Sequence, residues 1–320
     1  MIRSAVTISL VPEAQGGPFV FWGDLPAAIT TAARLGFDAL EVFAPGPDAI
    51  PPETLGRMLH DAGLRLAAVG TGAGWVKHKL TLTDADPVKR KAAKDFIREM
   101  IEWGAAAGLE AAGEPAPAII GSMQGRWGGN IARDAALGYL TEALNDLGEL
   151  ATRSGGRGWT AGSPSGVAGA GPKGSPGSLN ASGKPEGRPG ETPASLLIEP
   201  LNRYETNLLN TLADGSRLLR SLTSNNIRLL ADLFHMNIEE VDSATALSAA
   251  GDDVGHIHFV DSNRRPAGSG HIDYAPLAAA LAKMKYSGYV SAEALPWPSP
   301  VAAAEQTIKT FRRAFRMPGS

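Results

Sequence analysis

The sequence contains no cysteine among its 320 residues. Disulfides, Cys-ligated zinc and thiol nucleophiles are therefore excluded. Long hydrophobic runs are also missing, because no stretch reaches the roughly 18 apolar residues that a membrane-spanning helix needs. Residues 1–10 carry one arginine and a short apolar run, a pattern that predicts a strand and not a signal peptide. We expect a protein of the cytoplasm.

Neither sign of charge is in large excess. The formal net charge is −3 and the sequence pI is about 6.1, so the composition offers no basic face for nucleic acid or for an anionic membrane. Apolar residues make up 43% of the chain against 20% charged residues, which is enough to bury a sizeable core. The length alone allows one large α/β domain or two ordinary ones.

Short apolar runs alternate with amphipathic segments of about 10 to 20 residues that are typical of helices. The predicted strands cover residues 5–11, 39–43, 66–70, 118–121, 196–199, 228–232, 255–260 and 290–293. Eight strand–helix pairs predict an α/β fold of the (β/α)8 TIM-barrel type. A doubly wound sheet is the alternative, but no G-x-G-x-x-G opens a helix after the first strand.

One segment, residues 154–192, breaks this alternation because it is dense in Gly, Pro and Ser. Its sizeable apolar residues are Trp159, Val167 and Leu179, too few to repay the entropy of ordering the chain. We predict a low-complexity, disordered insertion between the fourth helix and the fifth strand, either a tolerated surface loop or a lid over the barrel. The rest of the chain has the usual length of one barrel, so we expect residues 1–320 to form a single TIM-barrel domain.

Four predicted strands in the second half of the chain end on an acid or a histidine. The strand ends are LLIEP at Glu199, RLLAD at Asp232, GHIHFVD with His258, and YVSAE at Glu293. Polar residues at the carboxyl ends of barrel strands converge on one mouth. Their mutual repulsion would be relieved by a divalent cation, and a set of carboxylates with one imidazole suits Mn²⁺, Mg²⁺ or Co²⁺.

Two further residues of the predicted strands carry charge or an imidazole. His256 lies two positions before His258 and therefore faces the same side of its strand, where we predict a hydrogen-bonded interior histidine. Glu41 lies in the second predicted strand. The sequence leaves open whether it orients a group in the mouth or forms a structural ion pair.

Several blocks of the sequence resemble a known family. They are IEPLNRYE (198–205), ADLFHMNIEE (231–240), GHIHFVDSNRRPAGSGHIDY (255–274) and GYVSAE (288–293). These blocks are similar to the xylose-isomerase-like TIM-barrel superfamily. Within it they resemble the sugar-phosphate isomerase/epimerase branch, which includes tagatose 3-epimerase, hydroxypyruvate isomerase and inosose dehydratase. The resemblance covers nearly the whole chain outside residues 154–192.

The resemblance implies roles for individual residues. Its four metal ligands would be Glu199, Asp232, His258 and Glu293. Glu199 and Glu293 would also move the proton as acid and base. Glu205 would contact a substrate hydroxyl, and His235 and Arg264 would hold the substrate's oxygens.

The implied activity is that of a divalent-metal-dependent isomerase or epimerase. The substrate would be a small sugar, sugar phosphate or keto-acid that reacts through an enediolate. A keto-sugar dehydratase or lyase on the same scaffold is the alternative. An abasic-site endonuclease is disfavoured, because the third and fourth strands end in AVGTG and IIGSM without histidine. A non-catalytic sugar-binding role is disfavoured while both presumptive acid/base residues are present. We expect a small carbohydrate as the binding partner, with no nucleic acid and no membrane; a homo-oligomer stays open.

Overall fold

The computed structural model describes residues 1–154 and 196–316, and side chains in all of these except 151–154. Within these ranges eight parallel strands close into a barrel, which confirms the predicted fold class. The strands are β1 (Arg3–Ser9), β2 (Phe21–Trp22), β3 (Ala39–Phe43), β4 (Arg65–Gly70), β5 (Ala118–Ile120), β6 (Leu196–Ile198), β7 (Ile227–Asp232), β8 (Val254–His258) and β9 (Tyr289–Ala292). The barrel closes where β9 pairs with β1, with Arg3 beside Tyr289.

The sequence analysis does not predict β2. Its two residues pair with Ile8 and Ser9 at the end of β1 and stand outside the ring of eight strands. A strand this short has no apolar alternation to read, so the pattern of the sequence cannot reveal it. The predicted insertion, residues 154–192, lies outside the described residues apart from Ser154.

Helices follow the strands around the outside of the barrel. They are α1 (Leu25–Leu35), α2 (Pro52–Asp61), α3 (Ala73–His78), α4 (Pro87–Ala112), α5 (Arg133–Ser154), α6 (Leu212–Ser221), α7 (Leu233–Glu239), α8 (Ser243–Ala250), α9 (Tyr274–Lys283) and α10 (Pro300–Phe315). Several begin at a side chain that accepts a backbone N–H; Asp86 does so for α4 and Ser299 for α10, each followed by a proline. These are the residues that helix starts prefer. No helix of the described ranges is long and apolar enough to cross a membrane.

The inside of the barrel changes from apolar to polar along the strands. Small and aliphatic side chains such as Ala39, Leu197 and Leu230 are buried together in its lower layers. Side chains two positions further along a strand point to the same side. Three polar residues therefore face the same side as the apolar residue two positions before them: Glu41 after Ala39, Glu199 after Leu197 and Asp232 after Leu230. The register of the strands thus places several ionisable groups at the carboxyl end of the barrel.

Candidate metal centre and active site

Four consecutive strands bring the four predicted ligands together. Glu199 follows β6, Asp232 ends β7, His258 ends β8 and Glu293 follows β9. Each offers one ligand atom, and these atoms lie within 4.8 Å of one another. Glu199, Asp232 and His258 are buried, and Glu293 is partly buried. Because the charged atoms are this close, the cluster needs a positive charge to hold it together.

His258 lies at the centre of this cluster. Its Nδ1 is 3.2 Å from Asp232 Oδ2, 3.6 Å from Glu199 Oε1 and 3.5 Å from Glu293 Oε2. On the other side of the ring, Nε2 lies 3.1 Å from Glu41 Oε1. Because an ionised carboxylate only accepts hydrogen bonds, Nε2 carries a proton and donates a hydrogen bond to Glu41. Nδ1 is thereby turned toward the three carboxylates, as the nitrogen that could bind a metal ion.

Glu41 also accepts a hydrogen bond from His256, with Oε2 2.8 Å from Nε2. All three side chains are buried. Burial alone would raise the pKa of Glu41, but the charge on His258 and the hydrogen bonds from both histidines hold that pKa well below its usual range. Glu41 therefore stays ionised and links the interior histidine His256 to the candidate ligand His258.

The electrostatics of the cluster are those of a cation site. Burial raises the pKa of Glu199 to about 8 and also raises the pKa of Glu293. Burial would lower the pKa of His258, but the charges of Glu293 and Glu41 and the hydrogen bond to Asp232 raise it well above its usual value. Glu199 Oε1 is buried without a hydrogen-bond partner. A divalent cation would give this oxygen a partner, and three carboxylates with one imidazole are a donor set that Mg²⁺, Mn²⁺ or Co²⁺ accepts.

Asp232 divides its two oxygens between the helix and the cluster. Oδ1 accepts the backbone N–H groups of Phe234 at 2.7 Å and His235 at 3.0 Å, which caps the start of α7. Oδ2 faces His258. Burial would raise the pKa of Asp232, but the charge on His235 and the hydrogen bond from His258 lower it. The helix that begins directly after β7 therefore fixes the orientation of a candidate ligand.

Arg264 bridges two carboxylates at the edge of the cluster. Its Nη2 lies 2.9 Å from Glu293 Oε2 and its Nη1 lies 3.3 Å from Glu205 Oε1. Its guanidinium also lies over the ring of Phe234, 4.7 Å from the ring centre. The backbone of Arg264 has φ 57°, in the left-handed region that favours glycine. Such a conformation in a non-glycine residue is often found where a side chain is aimed at a functional site.

His235 lies beside the same carboxylates. Its Nε2 is buried without a hydrogen-bond partner and stands 3.7 Å from Glu199 Oε1. Its Nδ1 is 2.7 Å from the side-chain nitrogen of Asn202. Burial lowers the pKa of His235, which favours the neutral form of the ring. The three residues for which the sequence implies substrate contacts, Glu205, His235 and Arg264, thus all border the cluster.

A cavity of about 240 Å³ opens over these residues. Its lining combines charged residues, among them Glu199, Glu293 and Arg264, with a set of apolar residues that we call the apolar wall. The wall includes Phe19, Phe43, Val76, Ile119 and Leu201. An apolar pocket with a few convergent polar groups is typical of a site for a small molecule.

Glycine keeps part of this cavity open. A Cβ at Gly121 would lie 2.7 Å from Glu199 Oε2, and one at Gly70 would lie 2.6 Å from the ring of Phe43. Both contacts are too close for a real side chain. The absence of side chains at these two positions leaves Glu199 and Phe43 facing the cavity.

The structure identifies the partners of Glu41, whose role the sequence leaves open, and adds Asn202 to the residues singled out by sequence. The sequence indicates that Glu41 needs a partner, because a carboxylate inside an apolar strand is costly without one. It does not indicate which residues these partners are, because His256 and His258 lie 215 and 217 positions further along the chain. Asn202 lies three positions after Glu199, and the sequence analysis assigns it no role. Its importance depends on the direction of its amide, which only the folded loop determines.

Comparison with known proteins links most of the chain to one family. Residues 29–314 match the family described as xylose isomerase-like TIM barrel. The L-ribulose 3-epimerase of Methylomonas sp. is 30% identical over 285 residues, which cover 87% of this chain and 83% of that enzyme. The D-psicose 3-epimerase of Agrobacterium fabrum is 40% identical over 99 residues, 31% of this chain. That second alignment spans 34% of the relative's own length, about a third.

Solved structures share the same shape at low sequence identity. The D-allulose 3-epimerase from Methylomonas sp. superposes with a TM-score of 0.71 at 23% identity, covering 98% of this chain and 99% of that one. An AP endonuclease of family 2 from Brucella melitensis has a TM-score of 0.63 at 14% identity, covering 94% and 96%. At these identities the two likenesses establish the barrel fold alone.

Proposed function

The chain belongs to the xylose isomerase-like TIM barrel family, and from that premise we propose that it is a divalent-metal-dependent epimerase or isomerase of an unphosphorylated ketose. The observation that carries the proposal is the position of Glu199 and Glu293. They stand on β6 and β9, the outer two of four consecutive strands, and both line the cavity. Asp232 and His258 lie between them. Two carboxylates thus approach the same small space from different sides.

This arrangement suits proton transfer at a carbon beside a carbonyl group. One carboxylate removes the proton from that carbon, and the other returns a proton on the opposite face. A positioned acid or base of this kind contributes on the order of 10²- to 10⁴-fold in rate. A divalent cation held by Glu199, Asp232, His258 and Glu293 would stabilise the negative charge that develops on the substrate oxygen.

Two more side chains orient the substrate in this proposal. His235 lines the cavity and its Nε2 has no hydrogen-bond partner, so this nitrogen is available to donate to a sugar oxygen. Arg264 keeps a positive charge at the edge of the cavity and holds Glu293 in place through the contact at 2.9 Å. Glu205, bridged to Arg264, accepts a hydrogen bond from a substrate hydroxyl.

The cavity favours a sugar without a phosphate group. Among the cavity-lining residues in the described part of the chain, Arg264 is the single Lys or Arg. Both ends of its guanidinium already contact Glu205 and Glu293. A phosphate dianion would therefore enter beside carboxylates with no further Lys or Arg side chain of the lining to pair with. The names of the relatives, which are epimerases of psicose, ribulose and allulose, support a simple ketose.

The test is to incubate the Mn²⁺-loaded protein with pentuloses and hexuloses and with their phosphates, and to separate the products by chromatography. The proposal expects an equilibrium mixture of epimers or isomers of unchanged mass from an unphosphorylated ketose, with slower turnover of the phosphates. Loss of water with formation of an unsaturated ketone would assign the dehydratase alternative. Cleavage of abasic DNA with no change in any ketose would overturn the proposal.

A further inference from the structure

The amide of Asn202 has only one orientation that satisfies its neighbours. Its Oδ1 lies 3.0 Å from the backbone N–H of Tyr204, and its Nδ2 lies 3.0 Å from Glu205 Oε1. Reversing the amide would set its NH₂ against the N–H of Tyr204 and its oxygen against the carboxylate of Glu205. Both contacts would be repulsive, so the surroundings fix which end of Asn202 is the donor.

The orientation of Asn202 in turn decides which nitrogen of His235 carries the proton. The same Nδ2 that donates to Glu205 lies 2.7 Å from His235 Nδ1, and an amide nitrogen only donates. His235 Nδ1 must therefore be the acceptor. A neutral imidazole has one proton, which is then on Nε2.

The Nε2–H of His235 faces an acceptor that it does not reach. Glu199 Oε1 is 3.7 Å away, and neither atom has a hydrogen-bond partner although both are buried. Buried polar atoms are rarely left without partners. A bound cation would give Glu199 Oε1 a partner but cannot accept a hydrogen bond from Nε2–H. His235 lines the cavity, so a group bound in the cavity is the acceptor that this N–H still lacks.

We propose that Asn202 is a positioning residue that fixes the Nε2–H tautomer of His235, so that this N–H is offered to an oxygen of the bound ketose. The tautomer assignment rests on the contacts of Asn202 with Tyr204, Glu205 and His235. The identity of the acceptor as a ketose oxygen rests on the proposed function. In the other tautomer His235 would present a lone pair toward the cavity, beside the carboxylate of Glu199, and could not donate.

The tautomer is measured directly by long-range ¹H–¹⁵N correlation spectra of the imidazole nitrogens in the full-length protein loaded with Mg²⁺. The His235 signals are assigned by their loss in His235→Gln. We expect wild-type His235 to show a protonated Nε2 and an unprotonated Nδ1 near neutral pH. A protonated Nδ1 in the wild-type protein would overturn the inference without any further variant.

Asn202→Asp tests the role of the amide, because a carboxylate of the same shape accepts where the amide donated. We expect Nδ1 of His235 to become protonated. We also expect kcat on the ketose to fall on the order of 10²- to 10⁴-fold, as for a misplaced general acid or a wrong tautomer. Asn207→Asp is the matched control, since it adds the same charge in the same loop and the Asn207 side chain is hydrogen-bonded to the backbone of Trp127. It should keep the wild-type tautomer and rate.

The possible results separate this inference from the proposed function. An unchanged His235 spectrum in Asn202→Asp, or a changed spectrum with an unchanged kcat, would overturn the positioning role. The expected spectra in a protein that converts no ketose would uphold the tautomer assignment while removing the proposed function and the ketose acceptor with it. Metal content, measured in all variants, should match the wild type, because Asn202 contacts none of the four candidate ligands.

Discussion

Glu41 joins two histidines through one carboxylate, and one of them, His258, belongs to the cluster with Glu199, Asp232 and Glu293. Its Oε1 orients His258, and its Oε2 holds His256, the buried ring behind it. Carboxylates that hold the far nitrogen of a metal-binding histidine fix its tautomer and raise its basicity. Glu41 therefore prepares His258 to present Nδ1 to the cluster.

Glu41→Gln is predicted to weaken binding of Mn²⁺ about 10- to 100-fold. A glutamine accepts from only one histidine, and its NH₂ group faces the Nε2 of the other, where two donors meet. Isothermal titration of the metal-free protein with Mn²⁺ measures the change. Glu240→Gln is a suitable control, because Glu240 accepts the backbone N–H of Leu212 through one oxygen and stands outside the cluster. Unchanged affinity in Glu41→Gln would contradict this role.

Individual site residues differ in how far their position could be predicted. Glu199, Asp232, His258 and Glu293 each end an apolar run, and the barrel rule gathers such residues at one mouth. The structure brings them together, while their role as ligands stays a prediction. Asn202 could not be predicted, because its function depends on an amide direction fixed by a backbone N–H two residues later.

At the scale of elements, the start of α7 is part of the candidate metal centre. Asp232 caps the helix with Oδ1 and faces His258 with Oδ2. This explains why a helix can begin directly at the end of β7 without a connecting loop. The Asp232 side chain is both the cap of α7 and a candidate metal ligand. Two substitutions can separate these two functions.

Asp232→Asn is predicted to retain the cap and lose the metal, because the amide oxygen still accepts the two N–H groups but the charge is gone. Asp232→Ala should lose the metal and the cap. The metal-free alanine variant should be less stable to urea than the asparagine variant by about 0.5–2 kcal/mol. Elemental analysis after dialysis against Mn²⁺ measures the metal. Asp242→Asn, the same change at the cap of α8, should bind metal normally. Equal metal content in Asp232→Asn and wild type would refute the ligand assignment.

The loop between β8 and α9 is organised by a second buried aspartate, Asp261. Its carboxylate accepts a dense set of hydrogen bonds, from the N–H groups of Ser262, Gly268 and Ile272 and the hydroxyl of Tyr274. Burial would raise the pKa of Asp261, but the backbone donors, Ile272 and Ser262 foremost, lower it. Arg264 lies inside this loop, so Asp261 also holds this cavity-lining arginine in position.

The lowered pKa of Asp261 predicts a pH-dependent loss of stability. A carboxyl whose folded-state pKa lies below its unfolded value stabilises the fold above that unfolded value, about 3.9, and loses the effect as pH falls through the folded pKa. Asp261→Asn should cost on the order of 1–3 kcal/mol at neutral pH. The difference from wild type should shrink below about pH 4. Urea unfolding of both proteins across this range is the measurement, and a difference independent of pH would contradict it.

At the scale of the whole molecule, the repeat of strands and helices is what the sequence reveals best. Each barrel strand is an apolar run bounded by helix starts, so the eight strands and their order follow from local pattern. The short β2 and the contacts between Glu41 and His256 depend on distant parts of the chain meeting, which no local pattern contains. The single-domain prediction and the insertion at 154–192 stay predictions, because the described residues stop at the edges of that segment.

The central claim is that Glu199 and Glu293 move a proton beside the carbonyl of a ketose. The direct test is to incubate the metal-loaded protein with its ketose in D₂O and to follow the label by mass spectrometry and NMR. We predict deuterium at the carbon next to the carbonyl, dependent on metal. Labelling should be on the order of 10²- to 10⁴-fold slower in Glu199→Gln and in Glu293→Gln at measured, comparable metal content. Epimerisation without label from solvent, or full labelling in both variants, would contradict the account.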